Sequence, residues 1–554
     1  MEIIKAEDLN FTYALGKTPA LKNVSFSVSR GDLVAVCGAT GSGKSTLLRL
    51  LKKEIAPVGD QRGRIFFGYI KDGKEGGFGF KNVEDMSTRE SAEKIGFVMQ
   101  DPEHQIVTDK VWHELAFGLE NLGVKNDAIR RRVSEMASYF GIESWFEKNV
   151  NELSGGQKQL LNLAAVMVMQ PEVLLLDEPT AQLDPIAAAD FIATVAKLNR
   201  ETALTVIITE HRLENVIPVA TKLMALEDGR LTAYGEVRKT VAALAKDPKM
   251  LVGMPAAVRL FSRLSAKGEC PLDVCEGRRF IEDNCVNEIR SLPVKTENRN
   301  HETALCFKNV GFRYDNRGAD VIRNMSFEVR EGEIFCLLGG NGSGKSTTLG
   351  LASGVLKENS GKIEIFGKKI KDHKGGALYR ECVAMLPQDV RTLFIYDTVK
   401  EELKEVEFSP EMLPFDLSPL EDRHPYDLSG GEQQLLGLAK VLSAKPKLLL
   451  MDEPTKGLDA YAKKEIAGVL RELKKRGLTI LFVTHDVEFA AAVADRCALV
   501  FRGEVTSEGE THEFFAANNF YTTAVNRMTR GFYDGLLRVR EVEEIIRLNG
   551  GHKE

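Results

Sequence analysis

Apolar residues along the chain fall into short runs closed by glycine or by polar residues. Leu33-Val34-Ala35-Val36-Cys37, Val173-Leu174-Leu175-Leu176 and Thr205-Val206-Ile207-Ile208-Thr209 are runs of this kind in the first part. Ile334 to Leu338, Leu448-Leu449-Leu450-Met451 and Thr479 to Thr484 repeat the arrangement in the second. Such runs, apolar without alternation, suit strands covered on both faces, as in parallel sheets. Helix period is seen in LLRLLKK, soon after the first run, and in GLLRVREVEEIIRL near the end. The longest unbroken apolar run, Leu163 to Met169, has seven residues. A helix needs roughly 20 to cross a bilayer, so no membrane insertion is expected.

The pattern occurs twice because the chain is internally duplicated, a feature best sought before any local reading. FTYALGKTPALKNVSFSVSRGDLVAVCGATGSGKST (Phe11 to Thr46) recurs as FRYDNRGADVIRNMSFEVREGEIFCLLGGNGSGKST (Phe312 to Thr347). Tyr13 and Tyr314, and Lys44 and Lys345, lie 301 residues apart; the separation falls to 288 at Gln100 and Gln388 and to 275 at Ser154 and Ser429. Motif-bearing elements are kept while connections vary in length. The predicted organisation is a first domain at 1–235, a helical segment and linker at 236–302, a second domain at 303–515, and a C-terminal helical tail at 516–554. The polar stretch ending TENRNHE is read as the linker proper.

Composition narrows the class. With 554 residues, 43% hydrophobic and 28% charged, the chain has ordinary globular usage. Its net charge of −6 supplies no global positive field for nucleic acid, which is not expected as a partner. The N-terminal MEIIKAEDLNFTYALGK lacks the apolar core of a secretion signal, and the eight cysteines read as reduced thiols of a cytoplasmic protein. Cys270, Cys275 and Cys285 are spaced like neither a zinc pair nor the common iron–sulfur runs.

Candidate chemistry sits where the strands end. The first run leads into Gly38-Ala39-Thr40-Gly41-Ser42-Gly43-Lys44-Ser45-Thr46, and the second copy supplies Gly339, Gly342, Gly344, Lys345, Ser346 and Thr347. This is G-x4-G-K-[ST] between a strand and a helix, the setting that makes it a phosphate-binding loop. Its glycines let backbone N–H groups and the helix N-terminus face phosphate oxygens. Lys44 and Lys345 place positive charge at the β and γ phosphates, and the Ser45 and Ser346 hydroxyls can ligate Mg²⁺. Asp177-Glu178 and Asp452-Glu453 end apolar strands, delivering carboxylates to the carboxyl edge of a parallel sheet. The first acid of each pair can hold Mg²⁺ through water, and the second can orient or deprotonate an attacking water. His211 and His485, each following a strand, read as γ-phosphate sensors.

Leu153-Ser154-Gly155-Gly156-Gln157 and Leu428-Ser429-Gly430-Gly431-Glu432 each open a further helix with an anion-binding N-terminus. Between a phosphate loop and an LLLDEPT-like strand end, these words resemble the signature of ABC transporter nucleotide-binding subunits. The resemblance covers nearly the whole chain twice. It implies an α/β fold of two tandem P-loop NTPase (ABC ATPase) domains, each with a mainly parallel sheet core, an antiparallel β part and a helical subdomain. It also implies ATP and Mg²⁺ as cofactors, with Tyr13 and Tyr314 stacking on adenine. Gln100 and Gln388 would be the Q-loop glutamines at the metal and the lytic water, Asp184 and Asp459 the D-loop aspartates, Glu178 and Glu453 the bases, and His211 and His485 the switch histidines. In such proteins two domains meet head to tail, so each ATP is held by one phosphate loop and the opposite signature.

Gln100-Asp101-Pro102-Glu103-His104-Gln105, then Val111 to Asn121, resembles the ATPases of energy-coupling factor (ECF) importers of vitamins and transition-metal ions. Pro271 to Arg278 also resembles fused ECF ATPases. This implies a transmembrane coupling protein and a substrate-binding membrane protein as partners, and a place on the cytoplasmic face of the cell membrane. The second half departs, with Pro387-Gln388-Asp389-Val390 and a shorter stretch before its signature. The alternatives are the fused ATPase of a sugar importer and a soluble tandem-ABC translation factor. The latter usually carries a long charged helical linker and basic extensions, unlike this acidic chain.

Overall fold

A computed structural model describes the chain except residues 17, 72–76, 286–301, 316–317, 374–375, 381, 407–412 and 550–554; the TENRNHE stretch lies almost wholly outside the described residues. The chain divides into two compact units. One is Met1–Val258 with Lys267–Asp273, and the other is Arg259–Ala266 with Val274–Glu554. The segment after residue 236 forms helices Val237–Leu244, Pro248–Val252, Ala256–Arg263 and Val274–Cys285, shared between the units.

In the first unit a six-stranded sheet has the order Arg230–Glu236, Lys222–Glu227, Leu33–Cys37, Thr205–Thr209, Val173–Asp177, Ile95–Val98. All neighbours are parallel except the first pair, which is antiparallel. Every residue of Leu33–Cys37, Val173–Asp177 and Thr205–Thr209 is buried, as their unbroken apolar runs require. A fully buried leucine such as Leu175 contributes about 1.5–3 kcal/mol relative to an exposed one. A second, antiparallel sheet joins Leu21–Ser29, Glu2–Tyr13, Gly59–Lys71 and Gly77–Asn82.

The second unit repeats this plan. Its six strands run Val383–Leu386, Leu448–Asp452, Thr479–Thr484, Ile334–Leu338, Arg496–Phe501, Glu504–Glu510, with only the last pair antiparallel. Its antiparallel sheet comprises Ile322–Arg330, Thr303–Phe312, Ser360–Ile365 and the short Lys368–Lys369.

The length differences fall in connections. Gly59–Lys71 pairs with Gly77–Asn82 as a long hairpin, where the second unit has only Ser360–Ile365 against Lys368–Lys369. The helical part of the first unit comprises Val111–Asn121, Asn126–Phe140 and Gly155–Met167. Asn126–Phe140 buries Ile129, Val133, Ala137 and Phe140, a stripe of helical spacing, and stops at Gly141, whose φ of 66° suits glycine. In the second unit Val399–Glu405 and Gly430–Leu442 are the helices described in this region.

The tail carries helices Ala524–Thr529 and Val539–Leu548, the latter burying Val539, Val542, Ile545 and Ile546 within its unit. Among the described residues no helix is long and apolar enough to cross a membrane.

Candidate functional site

In each unit the parallel strands bring three loops to one sheet edge. The phosphate loop follows Leu33–Cys37, and its helix, Lys44–Leu50, starts at Gly43 with φ 99°. Only glycine fits there, because a Cβ would lie 2.7 Å from the Ala20 carbonyl and 2.8 Å from Leu21. Gly344 plays this part in the second unit, with φ 102° before helix Lys345–Ala352. Lys44 Nζ donates to the carbonyls of Gly38 (2.9 Å) and Ala39 (3.0 Å), and Lys345 does the same to Gly339 and Gly340. Both ammonium groups are thus held at the mouth of the loop.

Ser45 Oγ donates to Asp177 Oδ1 at 2.8 Å, and Ser346 Oγ to Asp452 Oδ1 at 3.2 Å. Thr209 adds a bond to Asp177 at 3.0 Å. Burial raises both aspartates above their ordinary range, and the neighbouring Glu178 or Glu453 charge adds to the effect. A cation beside these carboxylates would remove the penalty, and a hydroxyl next to a carboxylate is the oxygen donor set of a Mg²⁺ site. The buried Ser42 and Ser343 hydroxyls, at equivalent places in the two loops, have no hydrogen-bond partner among the described residues. Phosphate oxygens would satisfy them. The donors present therefore fit Mg²⁺ and a nucleotide.

Glu178 and Glu453 follow their strands at φ 46° and 47°. His211 Nε2 lies 2.8 Å from Glu178 Oε1, and Gln100 Nε2 donates to Glu178 Oε2 at 3.1 Å. The structure thus gathers three residues widely separated in sequence. In the second unit His485 Nδ1 meets Glu453 Oε1 at 3.1 Å, Thr484 Oγ1 donates to Oε2 at 3.0 Å, and Lys345 lies 3.8 Å away. Burial pushes the Glu453 carboxyl up, but the His485 bond and the His485 and Lys345 charges outweigh it and hold the carboxyl below its ordinary range. No bond from Gln388 to Glu453 is seen among the described residues.

Tyr13 OH and Thr46 Oγ1 share a bond of 2.7 Å, and Tyr314 and Thr347 one of 3.0 Å. Each tyrosine is exposed and packs edge-on against Phe11 or Phe312. Each therefore leaves part of its ring exposed beside its phosphate loop.

Ser154 caps helix Gly155–Met167 with a capping box, and Ser429 caps Gly430–Leu442 likewise. A Cβ at Gly155 would meet nothing within 4 Å, so this helix start is open to an approaching anion. Glu432 stands where the first signature has Gln157. Its carboxylate accepts from the Ser429 amide at 2.7 Å and faces Arg423 at 3.5 Å, so its charge is compensated locally. Asp184 and Asp459 cap the next helices, Pro185–Thr202 and Ala460–Lys475.

Two phosphate loops, each beside an acidic pair and a histidine at the edge of a parallel sheet, define a tandem nucleotide-binding ATPase. The ABC transporter family profile matches residues 21–181 and 322–456. An ABC transporter ATP-binding protein of Bacillus anthracis is 40% identical over 536 residues, covering 95% of each chain. Bacillus subtilis YkoD, whose name assigns it to HMP/thiamine import as the ATP-binding protein, is 29% identical and covers 93% of each chain. An archaeal ribosome recycling factor, solved with a ribosomal stalk protein, shares the tandem fold at TM-score 0.57 and 20% identity, covering 92% of this chain and 91% of that one. The chain belongs to the ABC transporter family as an ATP-binding protein with two ABC domains, of the kind that bind and hydrolyse ATP with Mg²⁺.

Proposed function

We propose that the chain is the energy-coupling ATPase of an ECF-type importer, working through two composite ATP sites. Each site combines the phosphate loop of one half with the signature serine of the other. The observation that carries the transport reading is the path leading outward from Gln100. That side chain bonds Glu178, and the residues after it run to the exposed Val107 and Trp112, the latter stacked on His113 at 5.1 Å. A protein docked on this segment would act on the stretch that begins at Gln100, whose side chain bonds the carboxylate. The resemblance of Gln100 to Gln105 and Val111 to Asn121 to ECF ATPases, and the similarity to YkoD, favour vitamin or metal-ion uptake.

In this reading Lys44 and Lys345 neutralise the charge gathering on the transferred phosphoryl group. Glu178 and Glu453 orient the attacking water and accept its proton, while His211 and His485 fix the carboxylates. Mg²⁺, when bound, would be held by Ser45 and Asp177 with Gln100, or by Ser346 and Asp452 with Gln388, and supplies positive charge to the phosphates. Tyr13 and Tyr314 offer ring faces to adenine. The partners are a transmembrane coupling protein and a substrate-binding membrane protein, at the cytoplasmic face of the membrane.

The test is co-expression with the cognate transmembrane protein. The chain should sediment with membranes only in its presence, and Val107→Asp with Trp112→Ala should return it to the supernatant. Sedimentation with ribosomes that is lost on nuclease treatment would overturn the transport reading.

A further inference from the structure

The two halves differ in the residue that precedes the histidine, and strand register confirms the correspondence. Val36 and Asp177 both pair with Thr209, whereas Leu337 and Asp452 both pair with Val483. Consistently, the Glu178 amide donates to the Thr209 carbonyl at 3.1 Å, and the Glu453 amide to that of Val483 at 3.0 Å. His211 and His485 therefore coincide, and the residue before them is Glu210 in one unit and Thr484 in the other. The Thr484 hydroxyl grips the catalytic carboxylate directly. Glu210 has no hydroxyl. Its carboxylate, 3% exposed, instead accepts the Thr180 amide at 2.9 Å, two residues beyond Glu178. Arg212, two residues further along, donates to the Leu183 carbonyl at 3.4 Å. The second unit has Asp486 at that position, paired with Lys463 at 2.5 Å.

We propose that Glu210 is a positioning residue particular to the first ATP site. It clamps the backbone turn that carries Glu178, in place of the direct hydroxyl bond used at the second site. The turn needs support, because Glu178 sits in the left-handed region that a side chain disfavours. Glu210 and Arg212 flank His211 and hold both ends of the 180–183 stretch, so the histidine segment and the loop leading to Asp184 move as one body. The two ATP sites of this chain are accordingly built differently behind their carboxylates. The inference rests on reading the first unit as an ATP-hydrolysing site.

The test reads ATP turnover in the full chain carrying Glu453→Gln, where Glu178 is the remaining base. Glu210→Gln keeps an oxygen acceptor for Thr180 and should stay within about threefold of its parent. Glu210→Leu removes the acceptor at similar volume and should lower kcat about tenfold, with KM for ATP little changed, as expected when a reacting group is misplaced. Glu210→Ala is read alongside in case leucine does not fit, and thermal melting checks that each variant is folded. Should Glu453→Gln alone stop turnover, the sites act jointly and the same variants are read in the unaltered chain. Equal rates for Glu210→Leu and parent, or Glu210→Gln as slow as Glu210→Leu, overturn the inference alone. An unaltered chain that does not hydrolyse ATP overturns the ATPase reading and the inference with it.

Discussion

Replacing both Glu178 and Glu453 with glutamine should separate nucleotide binding from hydrolysis. Each carboxylate is buried and held at both oxygens: Glu178 by His211 and Gln100, Glu453 by His485 and Thr484. Glutamine fills the same space but cannot take a proton from water. A positioned general base contributes about 10²–10⁴ in rate, or about 3–5 kcal/mol of barrier. The phosphate loops, Lys44 and Lys345 are untouched, so ATP binding should persist. Phosphate release at saturating Mg-ATP should therefore fall at least a hundredfold in the double variant. Each single variant should keep about half the parent rate if the sites act independently, and much less if they are coupled. A double variant retaining more than about a tenth of parental turnover would refute the assignment of these carboxylates as bases.

Three further outcomes follow from the same geometry. Gly43→Ala combines a left-handed φ with a 2.7 Å approach to the Ala20 carbonyl, whereas Gly41→Ala, at φ 80°, meets nothing within 4 Å. Urea unfolding should show a loss of roughly 2–4 kcal/mol for the first and about 1–2 kcal/mol for the second. Burial raises the Glu210 carboxyl above its ordinary range, so the folded chain binds that proton more tightly than the unfolded one. Its contribution is therefore best preserved below the unfolded pKa of about 4.3 and is lost as pH rises toward the folded value; Glu210→Gln should be the more stable protein at pH 7, with the gap closing below about pH 4 in thermal melts. Ser154→Arg added to Lys345→Ala should cost ATP binding little beyond Lys345→Ala alone, while added to Lys44→Ala it should cost more. The reverse pairing would mean that each half carries its own complete site.

Much of this was legible because the informative residues are local. Unbroken apolar runs such as Leu448 to Met451 suit buried strands, and the phosphate loop, acidic pair and histidine each lie at a strand end, so the sheet edge that gathers them follows from sequence. The duplicated spacing then placed the second site from the first. What sequence hides is decided by contacts between distant residues. Thr209 and Thr484 are alike in type, yet by its ladder partners Thr209 corresponds to Val483, so Glu210 stands at the place that Thr484 holds in its own unit. The signal was one extra residue between the acidic pair and the histidine in the first half. Glu432 reads as a carboxylate close to phosphate, but Arg423, nine positions away, faces it. The helices after residue 236 look like a connector, and only their packing divides them between the two units.

In the proposed reading, one chain carries two complete ATP sites formed by its own halves. Native mass spectrometry of the Glu178→Gln/Glu453→Gln protein in Mg-ATP tests it directly. A single chain of 61.4 kDa should retain two ATP molecules. A single chain retaining none or one, or ATP retained only by a dimer of chains, would contradict it.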